Sequence, residues 1–373
     1  MTVDNRINYV NIGLMLISCI AAFIMPFEVF LFAYAFMGPL HYLTEISWLH
    51  DRNYFTKGKY DFWVLIGIGV LISYEYLSYK YQLWPFNSED NRSMAESWNL
   101  GDRLLFLAFF GAIIMAFVKN LYIKIICIFL IFLVAMGVMI PKEEGDSTST
   151  MEYVFTSFVP TLIHVYVFTG LFILFGALKA RSKSGLWSFL VFVLCPILLI
   201  TLFTHQTFVP VTNYGMAAYG NFDNVDGFFS LNYSVLERFT GFELDPSIWA
   251  NAKTNTEANE IAKKAWVNHI YYSESGILLM RFIAFAYTYH YLNWFSKTEV
   301  IRWHKVPKMR FVLVIALWIG SLALYAYSYS VGLRWLFFLS FCHVLLEFPL
   351  NFHSMVGIVK ETRSIVQKGF ANR

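Results

Sequence analysis

Ten runs of about 20 mostly apolar residues follow one another along this 373-residue chain, and a soluble fold cannot bury so many all-apolar helices at once. Hydrophobic residues make up 58% of the sequence and charged ones 14%, too few to give each run a polar face. A helix satisfies its backbone within itself, and the short alternating segments of a membrane barrel are absent. The sequence therefore predicts an all-α fold, a single polytopic membrane helix bundle over 1–373. About ten transmembrane helices are expected, at roughly 8–25, 28–50, 61–82, 103–118, 120–141, 152–178, 185–205, 276–297, 310–331 and 334–357. The first run follows a single basic residue, Arg6, and lacks a small-x-small cleavage pattern, so it reads as a retained helix.

Basic residues set the orientation. One set of alternate loops holds Arg6; Arg52, Lys57 and Lys59; Lys119 and Lys124; Lys179, Arg181 and Lys183; Lys297, Arg302, Lys305, Lys308 and Arg310; and Lys360, Arg363, Lys368 and Arg373, which is 18 of the 28 basic residues. Positively charged loops stay inside, so both termini are expected in the cytoplasm, the membrane being a bacterial inner or plasma membrane. The opposite loops carry "NSEDNRSMAES", "PKEEGDSTS" and one long connection. Residues 206–275, between helices seven and eight, are too polar to span and too aromatic for disorder, and are expected to fold as an extracytoplasmic cap. A net charge of +3 makes no case for nucleic acid; the expected partner is the lipid bilayer.

Ionisable residues inside such a bundle mark function, because a charge in hydrocarbon is costly. "HYLTEISWLH" and "HVLLEFPLNFH" share one pattern: a histidine, a glutamate four residues on, and a second histidine. A helix turns about 100° per residue, so His41 with Glu45, and His343 with Glu347, share one face to within about 40°. His50 and His353 are rotated away and lie nearer the cytoplasmic end, where Asp51 and Arg52 mark the membrane edge. His164 and His290 lie within spans six and eight. The four carrier helices all run from outside to cytoplasm, and counting about 1.5 Å per residue puts their ionisable groups in a band about 15 Å deep.

Glu45 and Glu347 must face the interior and be neutralised there. Neutral imidazoles hold divalent transition metals, and a ligating histidine usually gives its other ring nitrogen to a carboxylate. The candidate metal ligands are His41, His164, His290 and His343, with Glu45 and Glu347 behind them or as direct ligands, and His353 as a substitute. Any one of these histidines alone would read as a hydrogen-bonded packing residue; the repeated motif on co-oriented helices favours a metal. His205, His269 and His304 lie at ends or in loops. Pro39, Pro160 and Pro349 predict kinks beside His41, His164 and Glu347.

Among the aromatics, Tyr287, Tyr291 and Trp294 flank His290 and could line a pocket for a flat apolar ligand. "YEYLSYKYQLW" and "YAYSYS", at span ends, read as headgroup anchors. No particular residue stands out as catalytic: phosphate-binding glycine loops, Ser-His-Asp signatures and H-E-x-x-H are absent. Cys19, Cys127, Cys195 and Cys342 sit inside apolar runs without C-x-x-C spacing and read as small core residues.

"GPLHYLTE", Gly38 to Glu45, resembles the early Gly-Pro-His-x-x-x-Asp segment of the bacterial integral-membrane β-carotene dioxygenases, the Brp/Blh-like family, with glutamate for aspartate. "NFHS", Asn351 to Ser354, resembles that family's late aromatic-His-Ser segment, and Gly357 stands where the family has a further histidine. The resemblance implies histidine-held iron and carotenoid cleavage, with His41 a ligand and His353 favoured over His343. The function expected is that of a membrane-embedded non-haem metal oxygenase acting with O₂ on a long apolar substrate such as a carotenoid or lipid. Fe(II) is the expected cofactor, with zinc or another divalent metal open. The same His and Glu residues could serve a proton or metal-ion transporter, which the mostly apolar outer halves of the carrier helices disfavour. A structural protein docking through its cap is the third alternative.

Overall fold

The computed structural model describes residues 3–81, 83–84, 100–138, 154–201, 209–220, 228–242, 244–245, 247–297, 302 and 305–370. Among them every regular element is helical. In chain order these are α1 (Val3–Ile24), α2 (Pro26–Phe32), a π-helical turn (Ala33–Met37), α3 (Gly38–His50), a three-residue turn (Asn53–Phe55), α4 (Asp61–Tyr81), α5 (Leu100–Phe117) and α6 (Leu121–Val138). A long π-helix (Val154–Phe168) then leads into α7 (Thr169–Ala180) and α8 (Lys183–Thr201). The four helices α9 (Asn213–Tyr219), α10 (Phe229–Thr240), α11 (Ser247–Asn251) and α12 (Asn255–Tyr272) precede α13 (Glu274–Ser296), α14 (Lys308–Tyr327) and α15 (Tyr329–Lys368).

Eight helices among the described residues are long and apolar enough to cross a membrane, and the chain is an all-helical membrane protein. They match the first four predicted spans and the sixth, seventh, ninth and tenth. The fifth falls on the shorter apolar helix Leu121–Gly137. The eighth falls on α13, whose 23 residues reach about 35 Å but include Glu274, Arg281, His290 and Asn293, which dilute its apolar character. Helices α9 to α12 occupy the predicted cap; 206–208, 221–227, 243 and 246 lie outside the described residues.

The chain divides into two compact units. The first comprises Met1–Gly38, Leu186–Lys297 and Ile319–Arg334. In it α1 and α2 pack along α13, which is buried along most of its length. Asn11 of α1 fixes that packing, its Oδ1 accepting from Tyr289 (3.1 Å) and Ser296 (3.0 Å). The helices between α8 and α13 join the same unit through short polar ties. Thr212 caps α9 and also donates its N–H to Glu28 of α2 (2.8 Å), while Ser273 both ends α12 and caps α13. Gly276 is required at that corner, since a Cβ there would meet the Ile270 carbonyl oxygen at 2.3 Å.

The second unit comprises Pro39–Gly185, Thr298–Trp318 and Trp335–Arg373. Here α5 packs between α4, α6 and the long π-helix, its Leu105, Ala108, Ala112 and Met115 lying in a core shared with Leu345, Leu346 and Phe348 of α15. Pro160 lies within π-helix and Pro39 closely follows a π-helical turn, a form that is rare in itself and usually only one turn long. Proline removes an N–H and crowds the carbonyl four residues back, and the widened turns just before Pro39 and around Pro160 accommodate that loss. Pro349 instead lies within α15, a helix of 40 residues without an assigned break.

A strained turn follows α3. Asn53, Tyr54 and Phe55 all have positive φ, 49°, 52° and 56°, a left-handed turn that costs side chains about 1–2 kcal/mol per residue. It is held by Tyr54 stacked on Phe62 (4.6 Å between centroids) and by His353 Nε2, 3.1 Å from the Phe55 carbonyl oxygen. Just before it, Arg310 donates to Asp51 at 2.6 Å. Burial would raise the Asp51 carboxyl, but hydrogen bonds from Arg310 and His50 outweigh it and hold the group below the usual carboxylate range. That contribution is present at neutral pH and lost as pH falls through the depressed value, below about 4.

Lys124 and Asp61 form a buried ion pair at 2.6 Å, and Asp61 also accepts from the Gly58 N–H at 2.8 Å. Removing one partner strands the other charge, so Lys124→Ala should destabilise the protein by about 3–5 kcal/mol, with Lys124→Met/Asp61→Leu recovering most of the loss. Thermal unfolding of the purified variants in detergent checks both.

Candidate metal centre

Three elements of the second unit bring five predicted residues together. His41 and Glu45 lie on α3, directly after the π-helical turn, His164 on the long π-helix, and His343 and Glu347 on α15. All five side chains are almost wholly buried. His41 Nε2 is 3.1 Å from Glu45 Oε2, the same-helix pairing that the four-residue spacing predicts. The second motif does not repeat it. Glu347 Oε2 lies 3.2 Å from His164 Nδ1, on another helix and off the line of a hydrogen bond.

His343 therefore stands free of its own-helix carboxylate and faces the other two histidines. Its Nε2 is 3.1 Å from His164 Nε2, and a ring nitrogen of His343 lies within 4.8 Å of one on His41. Tyr42, adjacent to His41, stacks on the His343 ring at 4.1 Å and 23°, which fixes the ring plane. Thr44 donates to the Leu40 carbonyl at 2.7 Å and lies 3.1 Å from that of His41, ordering the turn that carries His41. One turn beyond Glu347, Asn351 is buried with neither amide atom hydrogen-bonded.

The donor chemistry fits a divalent transition metal. Two imidazole nitrogens at about 2.0–2.1 Å from one ion, at right-angle to tetrahedral separations, stand about 2.9–3.4 Å apart, and the observed 3.1 Å falls in that range. His164 is engaged at Nδ1 by a carboxylate and presents Nε2, the arrangement by which a carboxylate orients a ligand. His41 is engaged at Nε2, so its ligating atom would be Nδ1. Glu45 and Glu347 are close enough to interact electrostatically, and one divalent cation could serve as counter-charge to both.

Of the remaining candidates, His353, His50 and His269 fall elsewhere. His353 is ten residues past His343, about 15 Å along the helix, and bonds the Phe55 carbonyl, so it does not join the three histidines. His290 is buried on α13 of the first unit, as are Tyr287, Tyr291 and Trp294. Tyr287 packs edge-on to Phe30 (5.1 Å), within an aromatic core. His50 is exposed beside Asp51, and His269, on α12, stacks on Phe242 at 3.8 Å. His205 and His304 lie outside the described residues. Tyr42 and Asn351 went unflagged in the sequence; only their places beside His41 and four residues past Glu347 could have pointed to them.

No protein-family model, no curated protein and no solved structure matches this chain. Tyr42→Ala, by deleting the ring packed on His343, should cost about 3 kcal/mol, seen as a lowered unfolding temperature in detergent.

Proposed function

We propose that this protein is a membrane-embedded non-haem metal enzyme, an oxygenase acting on a long apolar substrate such as a carotenoid or lipid that enters from the bilayer. The observation that carries the proposal is the pair of buried ring nitrogens 3.1 Å apart, one ring backed by Glu347 and the other clamped under Tyr42. His164 and His343 would hold the metal through Nε2 and His41 through Nδ1, with Glu45 and Glu347 orienting rings and balancing charge. Fe(II) would supply the O₂ chemistry that amino-acid side chains lack. The apolar bundle keeps water from the site, which strengthens every electrostatic contact within it.

The resemblance of Gly38–Glu45 to the early segment of the Brp/Blh-like family supports this substrate class. His290 is proposed as a further ligand from the sequence pattern alone. Ten spans, an extracytoplasmic cap over 206–275 and cytoplasmic termini complete the proposed topology, on the distribution of lysine and arginine.

Purified full-length protein should contain about one equivalent of divalent transition metal by elemental analysis. His164→Ala and His343→Ala should remove it, and Glu347→Gln should weaken retention about 10–100-fold. Metal content of His290→Ala decides its assignment. Absence of stoichiometric metal, with both alanine variants as stable as the parent, would overturn the proposal. Metal or proton flux into proteoliposomes, abolished by Glu347→Gln, would replace it with a transporter.

A further inference from the structure

The tyrosines of "YAYSYS" do not behave alike. Tyr327 is 84% exposed, as a headgroup anchor should be, whereas Tyr325 and Tyr329 turn into the first unit and are buried. Gly332 makes room for that inward turn: a Cβ there would lie 2.4 Å from Tyr325 Cγ, so the ring lies directly on the backbone of α15. Tyr329 packs edge-on to Tyr325 at 4.9 Å and its own hydroxyl donates to the Leu31 carbonyl at 3.2 Å. The Tyr325 hydroxyl is different. It is buried and has no hydrogen-bond partner, although the phenols of Tyr34, Tyr291 and Tyr329 are within electrostatic reach. Thr288 Oγ1, on α13 beside Tyr287, is buried and unpartnered in the same way.

An unmade hydrogen bond on a buried hydroxyl costs about 1–3 kcal/mol. Phenylalanine at 325 would keep the packing without that cost. The hydroxyl is therefore explained by an acceptor that arrives with a ligand. Its surroundings restrict that ligand. Its neighbours are aromatic: Tyr34 and Tyr291 are near it, and Tyr34 in turn lies 5.9 Å from Tyr287 and 5.8 Å from Phe30 between ring centroids, so an acceptor reaching it is met by flat rings. Tyr325 is in the last turn of α14, three residues before the Ser328 break, so an oxygen bonded to it lies near the end of a membrane-crossing helix. That is the depth at which an amphiphilic lipid carries its polar ring, with its tail deeper in the bundle.

We propose that the Tyr325 hydroxyl, framed by Tyr34 and Tyr291, is a recognition point for the carbonyl oxygen of a planar, tailed apolar molecule of the quinone or conjugated-ketone class. It concerns the first unit alone and stands whether or not the second holds a metal. The test uses full-length protein in phosphatidylcholine nanodiscs and two probes, decyl-benzoquinone and decylbenzene. The parent should bind the quinone about tenfold more tightly than the hydrocarbon, with the probe's carbonyl stretch shifted in the infrared difference spectrum. Tyr325→Phe should bring the two affinities within about twofold, abolish the spectral shift and leave the unfolding temperature the same or higher. A preference that survives in Tyr325→Phe, or is missing in the parent, would overturn the proposal. So would a variant that unfolds more easily, since the hydroxyl would then be bonding the protein itself.

Discussion

Two carboxylates inside a membrane bundle, Glu45 and Glu347, are the constraint to which the rest of the second unit answers. Each must be neutralised within the bundle, because hydrocarbon offers neither water nor counter-ion. Both are met by a histidine at just over 3 Å, and meeting them requires α3, the long π-helix and α15 to converge. The convergence in turn fixes which faces of those helices can point outward to lipid. The apolar exterior follows from the site as much as the site from the exterior.

The two motifs look identical in sequence and act differently in space. Spacing alone identified the faces of α3 and α15 that carry His41, Glu45, His343 and Glu347, because a period of 3.6 residues is a property of one helix, whereas His164 was read from its place within an apolar span. Spacing paired Glu45 correctly with His41. It could not show that Glu347 would turn from His343 to His164, since that depends on where a second helix crosses. His353 is the companion case: its motif resemblance favoured it, but helix rise carries it about 15 Å past His343 to the strained turn at Asn53–Phe55, whose carbonyl it bonds. Tyrosine-rich span ends were equally opaque, because exposure at Tyr327 and burial at Tyr325 depend on the Gly332 backbone across the turn.

Prolines were legible as irregularities but not as geometry. A helix that loses an N–H can kink, widen or continue, and all three prolines removed one bond with different results. The widened turns at Ala33–Met37 and Val154–Phe168 precede or carry the histidines of two helices, whereas α15, bearing His343 and Glu347, runs straight on. A regular helix therefore presents one side of the site, and two reshaped helices present the other.

The contrast between His41 and His164 bears on how such a site could load. His164 is engaged at Nδ1 and His41 at Nε2, so the proposed metal would meet one ring by Nε2 and the other by Nδ1. Between His164 and His343 the 3.1 Å separation suits two ligands of one ion, and equally suits an N–H···N hydrogen bond when one ring carries a proton. Exchanging the cation for protons thus asks for little movement at that pair. In the proposed site the charge state of Glu45 and Glu347 would set the loading equilibrium, while the histidines would set the geometry. In the proposed enzyme, metal retention should consequently depend on the carboxylate charges even where ring positions are unchanged, which is why Glu347→Gln, similar in size but uncharged, separates the two contributions more cleanly than any histidine substitution.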